Sequence, residues 1–532
     1  MPETGKTEDL DPGSEALEYP ELPAELSQPR LSTLFKYFGP GAIIASITIG
    51  SGETVFASRS GAVFGYSLLW LFLAAAIAKG LQIYCGSRYI TLTGEHPLRS
   101  WNRLPLLRGW FPWLVAGISI ICFPFWLGGL PLILGQLVNW IAGISDGAGI
   151  SDEKERAAVQ AAFDFWVKIW GTGFVVVAVS ITLLQSYKLL ERVQTLLVGL
   201  LLLSLLAAAI ASSPDLMAII AGTFVPSLPE FPAWALEKYP NDFGNKPVFQ
   251  EIAVYVGAMG GGTQDYLGYV GILREKGWGL MKKFSLYNPS YSPGPVALPE
   301  DPEQVRRGLG WLRAPAIDVT VSFLCIATFT YAFIILGAEV LHPDKIAPAG
   351  NELLTAQKDF LSQIHPSLTY LYQVGVFIAF FGTIHGAFEI YTRTGHEAFT
   401  ALIPGLHKVP VSGVRPWILL YCGGGALAVM WTGYDPVEII TPAAIFGSVI
   451  TCGLWCLAGV YAERKLLPAA YRMRPLLAVL VVLAGLFLTG LGIAAAWQFF
   501  EKHYPGVVLP AIIGSVITSG LWCLSLAYRP RS

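Results

Sequence analysis

Apolar residues follow one another along most of this chain in runs of about twenty, the length a helix needs to cross the hydrocarbon core of a bilayer. Runs of that length predict twelve spans, near residues 39–62, 66–89, 112–137, 167–186, 194–221, 249–272, 316–340, 367–391, 416–433, 439–461, 475–498 and 507–527. In lipid, a helix satisfies its backbone hydrogen bonds internally, so the expected class is an all-α, multi-pass membrane protein. Composition agrees: of 532 residues, 54% are hydrophobic and 14% charged, more apolar sequence than a soluble chain of this length can cover.

Charge then sets the orientation. Roughly 25 of the 35 Lys and Arg residues fall on the connections that share a side with the amino terminus, which predicts both termini in the cytoplasm of a cell-membrane protein. The first 30 residues carry eight acids against two bases, so residues 1–36 are expected to be a disordered acidic tail. The basic connection at 273–315 (Arg274, Lys276, Lys282, Lys283, Arg306, Arg307 and Arg313) is expected to face anionic headgroups. A net charge of −2 gives no reason to expect a nucleic-acid partner. The seven cysteines lie in apolar runs without a CxxC pair, so neither a disulfide framework nor a zinc site is expected. One segment recurs, IFGSVITCGLWCLA at 445–458 against IIGSVITSGLWCLS at 512–525. Its small residues suit close helix contact within one chain or in a homo-oligomer.

Two runs break their own pattern. The first is interrupted by Gly50, Ser51, Gly52 and Glu53, and the sixth by Gly260, Gly261, Gly262, Thr263, Gln264 and Asp265. Clustered glycines and polar groups at mid-membrane are tolerated where a helix unwinds beside a cavity. Interrupted spans at matching places in two halves point to an inverted-repeat transporter with its substrate between them.

At these residues the chain resembles the Nramp family of divalent-metal transporters. The clearest stretch is GPGAIIASITIGSGETVFASRSGAVFGYSLLW at 39–70, backed by Arg88 with Thr93 and Gly94, by Lys188, Leu189, Leu190 and Glu191, and by Ile317 and Asp318. The resemblance covers spans one to eight. It implies a five-plus-five inverted repeat (LeuT-like) with repeats at 37–221 and 249–461, an extracytoplasmic loop at 222–248, and two further helices with the carboxyl terminus at 462–532. It also implies a divalent metal ion as the substrate and no cofactor.

The departures from that family narrow the chemistry. Where the family has Asp-Pro-Gly-Asn, this chain has Gly50-Ser51-Gly52-Glu53, and Gly261-Gly262-Thr263 replaces Met-Pro-His. The soft thioether ligand is lost. What remains is oxygen: Glu53, Thr263, Gln264 and Asp265, with the backbone at Ile47, Gly50, Ala258 and Gly261. Such a set suits Mg²⁺ or Ca²⁺ better than Fe²⁺. The acidic pair that carries protons through the family's third span is replaced by Pro124 and Leu127, with Gly117 at an upstream acid, so no proton coupling is expected.

Each candidate has a structural alternative. Glu53 either binds a cation or caps the second half of its span, and the same choice holds for Asp265. Lys79, in the middle of the second span, needs a partner, and Glu53 is one choice. His385 and Glu389, one helical turn apart, form either a proton relay or a satisfied interior pair. A Glu53–Lys79 pair would also suit a zwitterion, which keeps a small organic solute such as an amino acid as a second function. A non-transporting membrane sensor or scaffold is a third. No sequence motif points to an enzyme.

Overall fold

The structure, a computed structural model, describes residues 18–27, 36–147, 149–184, 188–244, 246–282, 297–406 and 409–503. Every regular element among them is helical. Eight helices are long and apolar enough to cross a membrane, and two bent pairs raise the number to ten. The sixth span joins these as two short helices, Val248–Ala258 and Thr263–Lys276. Its middle is only weakly apolar, carrying Gly260, Gly261, Gly262, Thr263, Gln264 and Asp265. Its second half is nonetheless buried from Thr263 to Arg274, so its surroundings are protein rather than lipid. The predicted twelfth span and the second copy of the internal repeat lie outside the described residues.

The first span does not open into a loop. An α-helix, Pro40–Thr48, passes into a π-helical stretch, Ile49–Ala57, and then into a second α-helix, Ser58–Phe64. The result is a bend of 42°. The wider turn keeps the backbone bonded while redirecting it. The sixth span does unwind: its halves are separated by Met259–Gly262, with Gly260 at φ 67° and Gly261 at φ 84°, a left-handed conformation that favours glycine.

The fifth span is shorter than expected. Its helix Lys188–Ala211 stops before Ser212-Ser213-Pro214, and Asp215 caps a new helix, Leu216–Phe224, turned by 110°. Proline lacks the N–H that continuing the helix would need, and the Asp215 carboxylate accepts from the Met217 and Ala218 amides instead.

The amino-terminal segment is packed where it is described. Tyr19 and Leu26 are buried, the Tyr19 hydroxyl donates to the Leu92 carbonyl at 2.8 Å, and the Trp311 indole donates to the Pro20 carbonyl at 2.9 Å. The expected acidic tail is therefore anchored over residues 18–27. Two of the basic residues assigned to headgroups are also engaged inside the protein. Arg274 pairs with Glu397, and Arg313 donates to the Leu26 carbonyl at 2.6 Å.

Candidate functional site

The bent first span and the broken sixth span meet at their interruptions. A Cβ on Gly52 would stand 2.3 Å from the Ala258 carbonyl oxygen, so only glycine allows this approach. Unwinding residues 259–262 frees backbone groups that lipid could not satisfy. They find partners in alternation. The amides turn to carboxylates: Gly260 N–H donates to Glu53 Oε1 at 3.0 Å, and Gly262 N–H donates to Asp265 Oδ2 at 2.7 Å. The carbonyls turn to an ammonium: Lys79 Nζ donates to the oxygens of Gly257, Met259 and Gly261 at 3.1, 2.6 and 2.6 Å. The Tyr266 hydroxyl donates to the Gly260 carbonyl at 2.6 Å.

Asp265 thus caps the second half of the sixth span by reaching back to the Gly262 amide. Lys79 does not bind the Glu53 carboxylate directly. Its three protons are spent on backbone oxygens, because the break offers three carbonyls converging at the negative end of a helix. Glu53 does not cap the second half of its own span; it reaches across to the sixth. Oε1 binds the break, whereas Oε2 is buried and accepts no hydrogen bond among the described residues.

Other expected ligands are partly engaged. Thr263 Oγ1 accepts from Thr451 at 2.9 Å and from Gln82 at 3.4 Å. Gln264 Nε2 donates to Ser448 Oγ at 2.9 Å, while its buried Oε1, like Oε1 of Gln82, has no hydrogen-bond donor among the described residues. The Ile47 carbonyl accepts from Thr383 Oγ1 at 2.9 Å. Gly50 lies within the π-helical stretch and adds no side chain. Among the described residues no three His, Cys, Asp or Glu side chains gather as a ready metal cage. Among the described side chains bordering the break, the buried acceptors that lack a donor are one carboxylate oxygen and two amide oxygens.

His385 and Glu389 are not joined as a relay. Glu389 instead receives a two-pronged bond from Arg415 on the ninth span, at 3.0 and 3.1 Å. His385 is buried beside Gly386, which lies against Ile47 of the first span.

Four further features were missed in the sequence. On the far side of the break, fully buried Arg59 donates to Glu251 at 2.7 Å and to the Pro348 carbonyl at 2.6 Å, with Phe243 stacked 4.3 Å from its guanidinium. On the amino-terminal side, the Gly39 and Gly41 amides donate to Asp318 at 2.8 and 2.9 Å, and Tyr269 donates to it at 2.6 Å. Arg274 forms a bidentate pair with Glu397 at 2.9 and 3.0 Å. Charged residues inside apolar runs were the available signal for Arg59, Glu251 and Asp318; Arg274 and Glu397 fall outside the predicted runs and gave none. The fourth is the polar role of the internal repeat, from which only close helix contact was expected. Its first copy supplies Ser448 and Thr451 to Gln264 and Thr263 besides packing Gly453 against the eleventh span, Pro475–His503. The broken helix is thus closed by polar contacts on both sides.

Comparison with known proteins agrees with this architecture. Residues 41–236 match the model of the natural resistance-associated macrophage protein-like (Nramp) family. Metal transporter Nramp3 of Oryza sativa is 24% identical over 201 residues, 37% of this chain and 32% of that protein. Metal transporter Nramp1 of Populus trichocarpa is 30% identical over 89 residues, 16% of each. The matched part thus spans about a third or less of these relatives' own length. A manganese transporter of Eremococcus coleocola superposes over 97% of both chains with a TM-score of 0.59 at 14% identity, a likeness of fold. The chain is an integral membrane protein with that all-helical, five-plus-five arrangement.

Proposed function

We propose, from the premise that this chain is a divergent relative of the Nramp family, that it is a secondary transporter of a hard divalent cation, working by alternating access around the broken sixth span, with both termini in the cytoplasm. The observation that carries this is Oε2 of Glu53, a buried carboxylate oxygen without a hydrogen-bond donor among the described residues, beside a break whose Gly260 and Gly262 amides are both bonded to carboxylates. Gln82 and Gln264 add uncommitted oxygens at the same break.

Charge favours an abundant ion over a scavenged trace metal. Glu53 and Asp265 against Lys79 leave one net negative charge around the break. At about 4 Å and an effective dielectric constant of about 20, a pair of unit charges interacts by about 4 kcal/mol. Repulsion from Lys79 therefore offsets much of what Glu53 gives a dication, and binding rests on oxygen ligands and retained water. That suits Mg²⁺. The amino-acid alternative loses its motive, since every proton of Lys79 is already bound to backbone and none is presented to a carboxylate. Proton coupling through the third span has no support either: Leu127 is fully buried, and Pro124 packs against Gly425.

The test is uptake of Mg²⁺, Ca²⁺ and Mn²⁺ into proteoliposomes with a pH dye in the lumen. Mg²⁺ flux without lumen acidification is expected. Absence of all three fluxes from correctly inserted protein rejects transport of a divalent cation. Preference for Mn²⁺ rejects the hard-ion assignment, and acidification that tracks flux rejects the uncoupled mechanism.

A further inference from the structure

We propose that Lys79 is a tethered cation filling a monovalent-cation site, formed by the Gly257, Met259 and Gly261 carbonyls, that would otherwise take a free ion such as Na⁺ or K⁺. In a regular helix, carbonyls two residues apart point to different sides of the axis. Here the left-handed conformations of Gly260 and Gly261 turn three of them onto one atom, Lys79 Nζ, at 3.1, 2.6 and 2.6 Å. Converging backbone oxygens where a transmembrane helix unwinds are what a small cation requires. Their place at the carboxyl end of the helix Val248–Ala258 adds the negative end of its dipole.

The second span delivers the ammonium from its middle, and Lys79 is completely buried. No carboxylate shares its protons among the described residues, which separates it from an ordinary buried ion pair. The charge balance of the break extends this. Glu53 and Asp265 take the amides of Gly260 and Gly262 while Lys79 takes the carbonyls between and before them, so the unwound segment is held open by fixed charges of both signs. A protein with a built-in cation at this point needs no free one to keep the segment in place. The Gly261 carbonyl, expected from the sequence to face the cargo, is bound by Lys79 instead. The site is separate from the side-chain oxygens of Glu53, Gln82 and Gln264, and its test reads stability rather than flux, so it stands or falls apart from the transport assignment.

The experiment is thermal unfolding of purified Lys79→Ala and wild type as NaCl or KCl is raised from about 1 to about 200 mM, with choline chloride holding ionic strength constant. Methylammonium chloride is a further arm. The alanine leaves the carbonyls open, so its melting temperature should rise by about 2 °C or more with Na⁺, K⁺ or methylammonium and not with choline, while wild type does not respond. A folded Lys79→Ala protein indifferent to all these cations overturns the proposal, as does an equal response from wild type. If Lys79→Ala does not accumulate as folded protein, Lys79→Met decides, since it keeps the stem and removes the charge. Wild-type stability in Lys79→Met overturns the proposal. A clear fall, or failure to fold, supports it.

Discussion

Gly52 and Ala258 are in backbone contact across the two interrupted spans, so close that a methyl group on Gly52 would lie 2.3 Å from the Ala258 oxygen and 3.0 Å from its carbonyl carbon. The neighbour is backbone and cannot turn aside as a side chain can. Gly52→Ala should therefore cost about 1 to 3 kcal/mol and separate the two spans. Gly424→Ala on the ninth span, where a Cβ meets nothing within 4 Å, is the matched control. Melting temperatures in detergent measure both, and a Gly52→Ala protein as stable as the control would show that the spans are not in this contact.

Glu53→Gln keeps an oxygen able to accept from the Gly260 amide and removes the charge from Oε2. Cation affinity should fall at least tenfold, about 1.4 kcal/mol, with little change in stability. Titration calorimetry with Mg²⁺ reads the affinity. Unchanged affinity would leave Glu53 as a partner of the Gly260 amide alone.

Arg59 and Glu251 are both buried and bonded at 2.7 Å. Arg59→Met strands Glu251 and should cost about 3 to 5 kcal/mol, whereas Glu251→Leu leaves Arg59 a second carboxylate, Asp242 at 3.4 Å, and should cost less. The double variant Arg59→Met/Glu251→Leu should recover part of the loss, with a coupling above about 1 kcal/mol in a double-mutant cycle. Additive effects would contradict a direct interaction.

Asp435, in the turn before the tenth span, caps the helix Pro436–Pro442 by accepting from the Val437 amide at 2.9 Å. Burial raises its pKa from 3.8 to about 6. A carboxyl that holds its proton more tightly when folded stabilises the fold at low pH, and that contribution is lost as pH rises from about 4 to about 6. Asparagine caps equally well without the charge. Asp435→Asn should therefore be more stable than wild type at pH 7, by about 1 to 2 kcal/mol, with the difference vanishing near pH 4. Unfolding temperatures across that range check it, and a variant less stable at pH 7 would contradict the sign.

Apolar run length alone determined that this is a helical membrane protein and where most of its spans lie, because lipid imposes one constraint on every segment that crosses it. It failed at Ser212-Ser213-Pro214, where a local stop interrupts an apolar run, and over residues 18–27, whose order comes from partners distant in sequence such as Leu92 and Trp311. Glycine clusters likewise pointed to the interruptions of the first and sixth spans, since backbone conformation is a local property. That the first widens into π turns while the sixth comes fully apart was decided by the tertiary structure. So was the partner of Lys79. Sequence distance offered Glu53 as a counter-charge, but three-dimensional packing brought carbonyls 178 to 182 residues away onto the ammonium. Which oxygens stay uncommitted at the break depends on contacts made by Gln82, Ser448 and Thr451, from spans whose only local signal was ordinary helix packing. Periodicity carries the class of element because it is written into neighbouring residues. The chemistry of a buried polar site is set by which groups folding leaves without a partner, and that is known only when every partner is in place.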